Sequence, residues 1–125
     1  MTPNDRKYTK EHEWLLIEGN TVKIGITDHA QDALGDIVFV ELPAVDDTFA
    51  EGESFAVVES VKAVSQIYTS IGGTVIEINE ELDATPELLN SDPYEAFIAV
   101  FRADEIEESE LLTAEEYDAF VASEA

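Results

Sequence analysis

Short runs of β-branched and aromatic residues, each closed by Gly, Pro, Asp or Asn, constrain this chain more than any other feature. Val22-Lys23-Ile24-Gly25-Ile26 alternates with a period of two, the mark of a half-buried strand. Ile37-Val38-Phe39-Val40-Glu41-Leu42 is a denser run that Pro43 stops, because proline cannot donate to a strand ladder. Residues 55–61, 64–68 and 74–78 follow with the same composition, and residues 96–101 read as a last core strand. Strands this short and this closely spaced predict a small barrel or sandwich.

Helices are expected to be few. Thr27-Asp28 can cap a helix through Leu34, with Gly35 placed to end it. Thr85 followed by Pro86 predicts a second short helix over residues 86–89. Residues 113–121 read as an amphipathic helix: Thr113 and Glu116 have capping-box spacing, and Leu112, Tyr117, Phe120 and Val121 share one face. At 125 residues, with 45% of them hydrophobic, the chain fits one domain that can bury its own core. The domain is expected over 1–125, with its core in about 7–101.

Charge excludes several functions. There are 29 acidic residues against 6 basic ones, a net charge of −23. Residues 1–25 balance at four of each sign, and beyond them 25 acids face only Lys62 and Arg102. Such a surface has no cationic patch to release phosphate counterions, so neither nucleic acid nor anionic membrane is an expected partner. The acidity suits either solubility or docking onto basic faces. Glu80-Glu81 and Glu107-Glu108 read as solvated faces. Cysteine is absent, so the chain has no thiolate nucleophile and no Cys-based metal site. His12 and His29 are the only histidines, and with nothing ligand-like near them in sequence no metal centre is expected. The start lacks the apolar run of a secretory signal, and no stretch approaches the roughly 20 apolar residues of a membrane helix. A cytoplasmic monomer is the expectation.

One lysine stands apart. Three of the four lysines lie in the balanced N-terminal segment, whereas Lys62 sits alone between two strand-like runs, where a hairpin would turn. Gly52 lies ten residues before it and Gly73 eleven after, which suggests two near-equal arms rising to a tip. A lysine on a hairpin tip is a nucleophilic amine held in solvent on a stiff mount. Taken alone, such a lysine is more often a solvated turn residue than a functional one.

The surrounding residues change that balance. Glu59-Ser60-Val61-Lys62-Ala63 resembles the lipoylation motif of the glycine cleavage carrier family. Tyr8-Thr9-Lys10-Glu11-His12-Glu13-Trp14 resembles the family's opening segment, and the stretch from Gly25 to Pro43 is similar to its longest shared block. The likeness runs in register over about 7–121. It implies a mainly β barrel-sandwich hybrid of the lipoyl/biotinyl type, with short flanking helices and a C-terminal helix. It also implies lipoate joined by an amide to Lys62, with Glu59, Ser60, Val61 and Ala63 forming the attachment motif. The implied role is a non-catalytic carrier in glycine catabolism and one-carbon metabolism. The aminomethyl group would pass from glycine decarboxylase to the tetrahydrofolate-dependent aminomethyltransferase, and electrons to dihydrolipoyl dehydrogenase. A lipoyl-attaching enzyme is the fourth implied partner. By the same resemblance, Glu13 and His29 lie near a cleft where the loaded arm can rest; for each histidine a plain structural hydrogen bond is an equal reading.

The chain departs from the family at Gln66, where an acid is usual, and at Ser70-Ile71-Gly72-Gly73, where Pro-Val-Ser-Gly is common. After Tyr94 the usual Gly-rich segment ending in Trp is shortened to Glu95-Ala96-Phe97, and Phe97 is expected to bury a ring in its place. That shortening keeps open a lipoyl relay, or a carrier for another lipoate-dependent system. A 2-oxoacid dehydrogenase lipoyl domain would more often show Asp before the lysine, and a biotin carrier would want Met beside it. A cofactor-free β-sandwich interaction module is the alternative from another class.

Overall fold

The computed structural model describes residues 2–103, 105–106 and 108–124. Among the described residues, nine strands form two antiparallel sheets. They are β1 (Lys7–Tyr8), β2 (Glu13–Glu18), β3 (Thr21–Ile26), β4 (Ile37–Glu41), β5 (Thr48–Phe49), β6 (Ser54–Ser60), β7 (Val64–Tyr68), β8 (Gly73–Ile78) and β9 (Ala99–Arg102). The larger sheet runs β1-β2-β3-β9-β8-β5 and the smaller β4-β6-β7. Leu15, Ile24, Val75 and Phe101 from the first meet Val40, Phe55, Val58 and Ile67 from the second in one core. Full burial of each such side chain contributes about 1.5–3 kcal/mol. This is the mainly β barrel-sandwich hybrid that the run pattern and the resemblance predicted.

The helices are α1 (Asp28–Leu34), α2 (Glu81–Ala84), α3 (Leu88–Ser91) and α4 (Ala114–Glu124). Helix α1 has the expected ends: the Thr27 side chain accepts from the Ala30 N–H, and Gly35 closes it at φ +82°. Helix α4 carries the expected capping box, with Glu116 accepting from the Thr113 N–H at 2.9 Å and Thr113 accepting from the Glu116 N–H at 3.2 Å. It runs to Glu124, past the expected end at 121. Its Tyr117 packs with Tyr8, Trp14 and Ala114 in a second apolar cluster, against which Leu112, Phe120 and Val121 lie.

Three expectations are corrected. The helix placed at residues 86–89 starts instead at Leu88, because Thr85 and Pro86 accept from Leu88 and Leu89 in turns and no side chain caps it. The last strand begins at Ala99, not at 96, because the Phe97 carbonyl accepts from the Asn79 side chain rather than joining a ladder. Gly73 opens β8 in the other sheet, so it is not the foot of the Lys62 hairpin; only Gly52 is, donating its N–H to Thr69 at 2.7 Å. Of the two acidic pairs read as solvated, Glu80-Glu81 and Glu108 are exposed, and Glu107 lies outside the described residues.

The shortened segment after Tyr94 is tied down by the N-terminal part of the chain. Trp14 Nε1 donates to the Pro93 carbonyl at 3.0 Å, and Arg6 donates to the Tyr94 carbonyl at 2.8 Å while stacking over Trp14. Phe97 is half-buried against the second cluster, with the Lys23 amine 5.2 Å from its ring centroid.

Candidate functional site

Strands β6 and β7 form the hairpin that lifts Lys62. Glu59 pairs with Val64 in the last rung, leaving Ser60 to Ala63 as the turn. Ser60 builds that turn. Its N–H donates to the Ala63 carbonyl at 2.8 Å, and its Oγ accepts from the Lys62 and Ala63 N–H groups at 3.3 and 3.0 Å. A hydroxyl that satisfies two turn amides stiffens a loop that would otherwise be free to sample other conformations. The Val61 N–H donates to the Asp36 carbonyl at 3.0 Å, anchoring the tip to the segment that follows α1.

Lys62 is exposed, and among the described residues its amine makes no ion pair. Its stem lies over Gly35, where an added Cβ would come 3.4 Å from Lys62 Cε. The missing side chain at Gly35 leaves a shallow cradle beside the stem. An apolar collar surrounds the tip: Val61 is 70% exposed, Val64 66%, Val38 53% and Phe39 48%. Val38 and Phe39 both face outward because a bulge between Ile37 and Phe39 interrupts the β4–β6 register. Patches of this kind on an otherwise acidic surface mark contact sites.

Glu13 and His29 line different cavities. Glu13, 2% exposed, sits at the base of a depression shared with Tyr68, Ser70, Gly52 and the acids Glu11, Glu51 and Glu110. It accepts from the Tyr68 N–H at 2.9 Å and from the Thr9 hydroxyl at 3.0 Å. Burial pushes its carboxyl up to about 7, against the downward pull of those two hydrogen bonds. His29 borders a second depression with Asp28, Asp32, Tyr94 and Asp118. Between the tip and the Glu13 depression, the outward positions of β7 are Val64, Gln66 and Tyr68.

The two histidines, separate in sequence, lie together in the fold. They are adjacent in space, with ring centroids 4.5 Å apart, and Glu124 joins them. Positions 12, 29 and 124 come from three distant segments, so no local spacing could show the cluster. His12 Nδ1 contacts the Tyr117 hydroxyl at 2.8 Å, that hydroxyl contacts Thr27 Oγ1 at 2.7 Å, and His12 Nε2 lies 3.3 Å from Glu124. Burial first, and then His29, hold the His12 imidazolium below its ordinary range.

A two-sheet β scaffold with an exposed lysine on a stiff hairpin tip is the arrangement that the resemblance implies for a lipoyl-type carrier domain. The model of the family described as glycine cleavage H-protein matches residues 6–124. Among similar proteins, the glycine cleavage system H protein of Staphylococcus saprophyticus is 53% identical over 121 residues, 95% of this chain and 96% of that one. The protein of the same name from Staphylococcus haemolyticus is 54% identical over 117 residues, 92% of this chain and 93% of that one. The crystal structure of a glycine cleavage system H protein from Mycobacterium marinum superposes with a TM-score of 0.88 at 38% identity, covering 96% of this chain and 98% of that one. This chain belongs to the glycine cleavage H-protein family, whose members are lipoyl carriers of the glycine cleavage system.

Proposed function

We propose that Lys62 is the lipoyl attachment residue and that the chain, as one carrier domain, serves glycine decarboxylase, the aminomethyltransferase and dihydrolipoyl dehydrogenase in turn. The observation that carries this reading is the Lys62 amine, exposed and without an ion pair among the described residues, on a turn braced by Ser60 and Asp36. The residues present fit the group. The amine is open to an attaching enzyme, and the Gly35 cradle gives the stem room to lie back. When attached, lipoate supplies the dithiol chemistry that a chain without cysteine lacks. The chain's own part is mechanical and electrostatic. It raises the concentration of the arm at each partner site, and it makes or breaks no substrate bond itself.

Glu59, Val61 and Ala63 are the proposed contacts for the attaching enzyme, with Ser60 setting the turn that presents them. The collar of Val38, Phe39, Val61 and Val64 offers that enzyme an apolar footing. The outward row Val64, Gln66, Tyr68 leads from the tip toward the Glu13 depression, which is the proposed resting place for a loaded arm. The acids there attract an ammonium, and a Glu13 carboxyl held near 7 ionises as the cation arrives. His29 borders a separate depression with Asp28, Asp32 and Asp118 and is proposed as a second acid-flanked contact for the arm. A cytoplasmic, monomeric carrier is the accompanying reading; no helix among the described residues is long and apolar enough to cross a membrane.

Intact mass after incubation with a lipoyl-attaching enzyme tests the attachment. A lipoyl increment mapped to Lys62 and lost in Lys62→Arg is expected; an unmodified chain, or modification elsewhere, defeats it. Exchange of labelled bicarbonate with glycine, in the presence of glycine decarboxylase, separates the carrier from a lipoyl relay. The lipoylated protein should support exchange, and its failure to do so would favour the relay.

A further inference from the structure

His12, His29 and Glu124 come together from three separate segments: the turn before β2, helix α1 and the last turn of α4. Each offers one ligand atom, and the three atoms lie within 4.8 Å of one another. His12 Nε2 and the Glu124 carboxylate are already 3.3 Å apart. Two ligands at about 2.0–2.2 Å from a tetrahedral zinc ion are themselves about 3.3–3.5 Å apart, so this pair needs no rearrangement. The third ligand atom, on His29, lies within 4.8 Å of the other two and closes to that spacing when the ion binds.

The supporting groups are those of a built site. His12 is held in the left-handed region at φ +66°, uncommon for a residue other than glycine. Its backbone is fixed by donation to the Thr9 carbonyl and acceptance from the Thr27 N–H. Its ring is oriented by the Tyr117 hydroxyl, which Thr27 holds in turn. Metal-binding histidines commonly pass their second ring nitrogen to such an oxygen, which sets the tautomer and leaves the other nitrogen's lone pair for the ion. When His12 Nδ1–H donates to Tyr117, the Nε2 lone pair faces the Glu124 carboxylate. A cation between them turns that repulsion into two bonds.

We propose that His12, His29 and Glu124 form a binding site for one divalent transition-metal ion, zinc by ligand type, that pins the C-terminal end of α4 to the body of the fold. Two imidazoles and one carboxylate select a borderline ion over calcium or magnesium, which favour oxygen. Three protein ligands leave a fourth position for water.

Calorimetric titration of the 125-residue chain with Zn2+, in excess Mg2+ to occupy surface acids, tests the site. One equivalent should bind, and His29→Ala and Glu124→Gln should each weaken it at least tenfold. Tyr117→Phe, which keeps the ring and removes the orienting hydroxyl, should weaken it by about tenfold. Co2+ in place of Zn2+ should give the visible absorption of a four-coordinate site, lost in His29→Ala. His29 and Glu124 are at the surface, so circular dichroism of those variants should match the parent and keep the comparison valid. Zinc affinity unchanged by His29→Ala and Glu124→Gln, or no binding beyond what Mg2+ competes away, overturns the proposal.

Discussion

Glu13→Gln isolates the cost of burying a carboxylate beneath the acidic depression. The folded carboxyl lies at about 7, against an ordinary 4.5, and burial is the leading cause. Because the folded value is the higher one, the folded state holds the proton more tightly than the unfolded chain. Stability from this group is greatest below about pH 4.5, declines as pH rises through the window from 4.5 to 7, and levels off above it. The full difference corresponds to about 3 kcal/mol, most of which falls between pH 5 and pH 8. Glutamine keeps the shape and, through its carbonyl, the hydrogen bond from the Tyr68 N–H; its amide cannot replace the acceptor of the Thr9 hydroxyl, because Thr9 Oγ1 already accepts from the Glu11 and Glu13 N–H groups, and that cost is the same at every pH. Urea unfolding of both proteins in EDTA, followed by the emission of buried Trp14, should show a stability difference that grows with pH. At about 2 kcal/mol per molar urea, the midpoint of Glu13→Gln should move up by about 1 M relative to the parent between pH 5 and pH 8. The other acids are common to both proteins and cancel in the difference. Parallel pH profiles would show that Glu13 ionises in the ordinary carboxylate range and that burial does not govern it.

Gly25→Ala should destabilise by about 3 kcal/mol in chemical denaturation, because its Cβ would fall 2.6 Å from Trp14 ring carbons that cannot retreat. Gly35→Ala should lose about 1–3 kcal/mol, since φ +82° with ψ −159° is a region only glycine occupies without strain. Intact mass should nevertheless show normal modification of Gly35→Ala, because the Lys62 stem can swing off the new methyl group. Thr113→Ala removes half of the α4 capping box and should lower unfolding free energy by about 1 kcal/mol with the hairpin unaffected.

Local chemistry made much of this molecule legible. The Thr27 cap and Gly35 stop of α1 and the Thr113–Glu116 box of α4 are contacts within a few residues of chain, so residue type alone predicts them. The isolation of Lys62 between two strand-like runs is likewise a property of sequence order. The misplaced α3 start and the late start of β9 have the opposite origin. There, hydrogen bonds from Asn79 and to turn carbonyls compete with the local pattern, and pattern cannot rank them. The residues that lead into the shortened segment after Tyr94 are tied to Trp14 and Arg6, about eighty residues earlier in the chain, which no local pattern could show.

Sequence by itself determined the β character, the capped ends of α1 and α4 and the lone lysine at a turn, because these depend on neighbours along the chain. Only the tertiary structure decided which groups share a microenvironment. It sank Glu13 far enough to raise its carboxyl, turned Val38 and Phe39 outward through a bulge, and joined His12, His29 and Glu124. Those outcomes depend on long-range packing and desolvation, and neither is encoded in the spacing of residues along the chain.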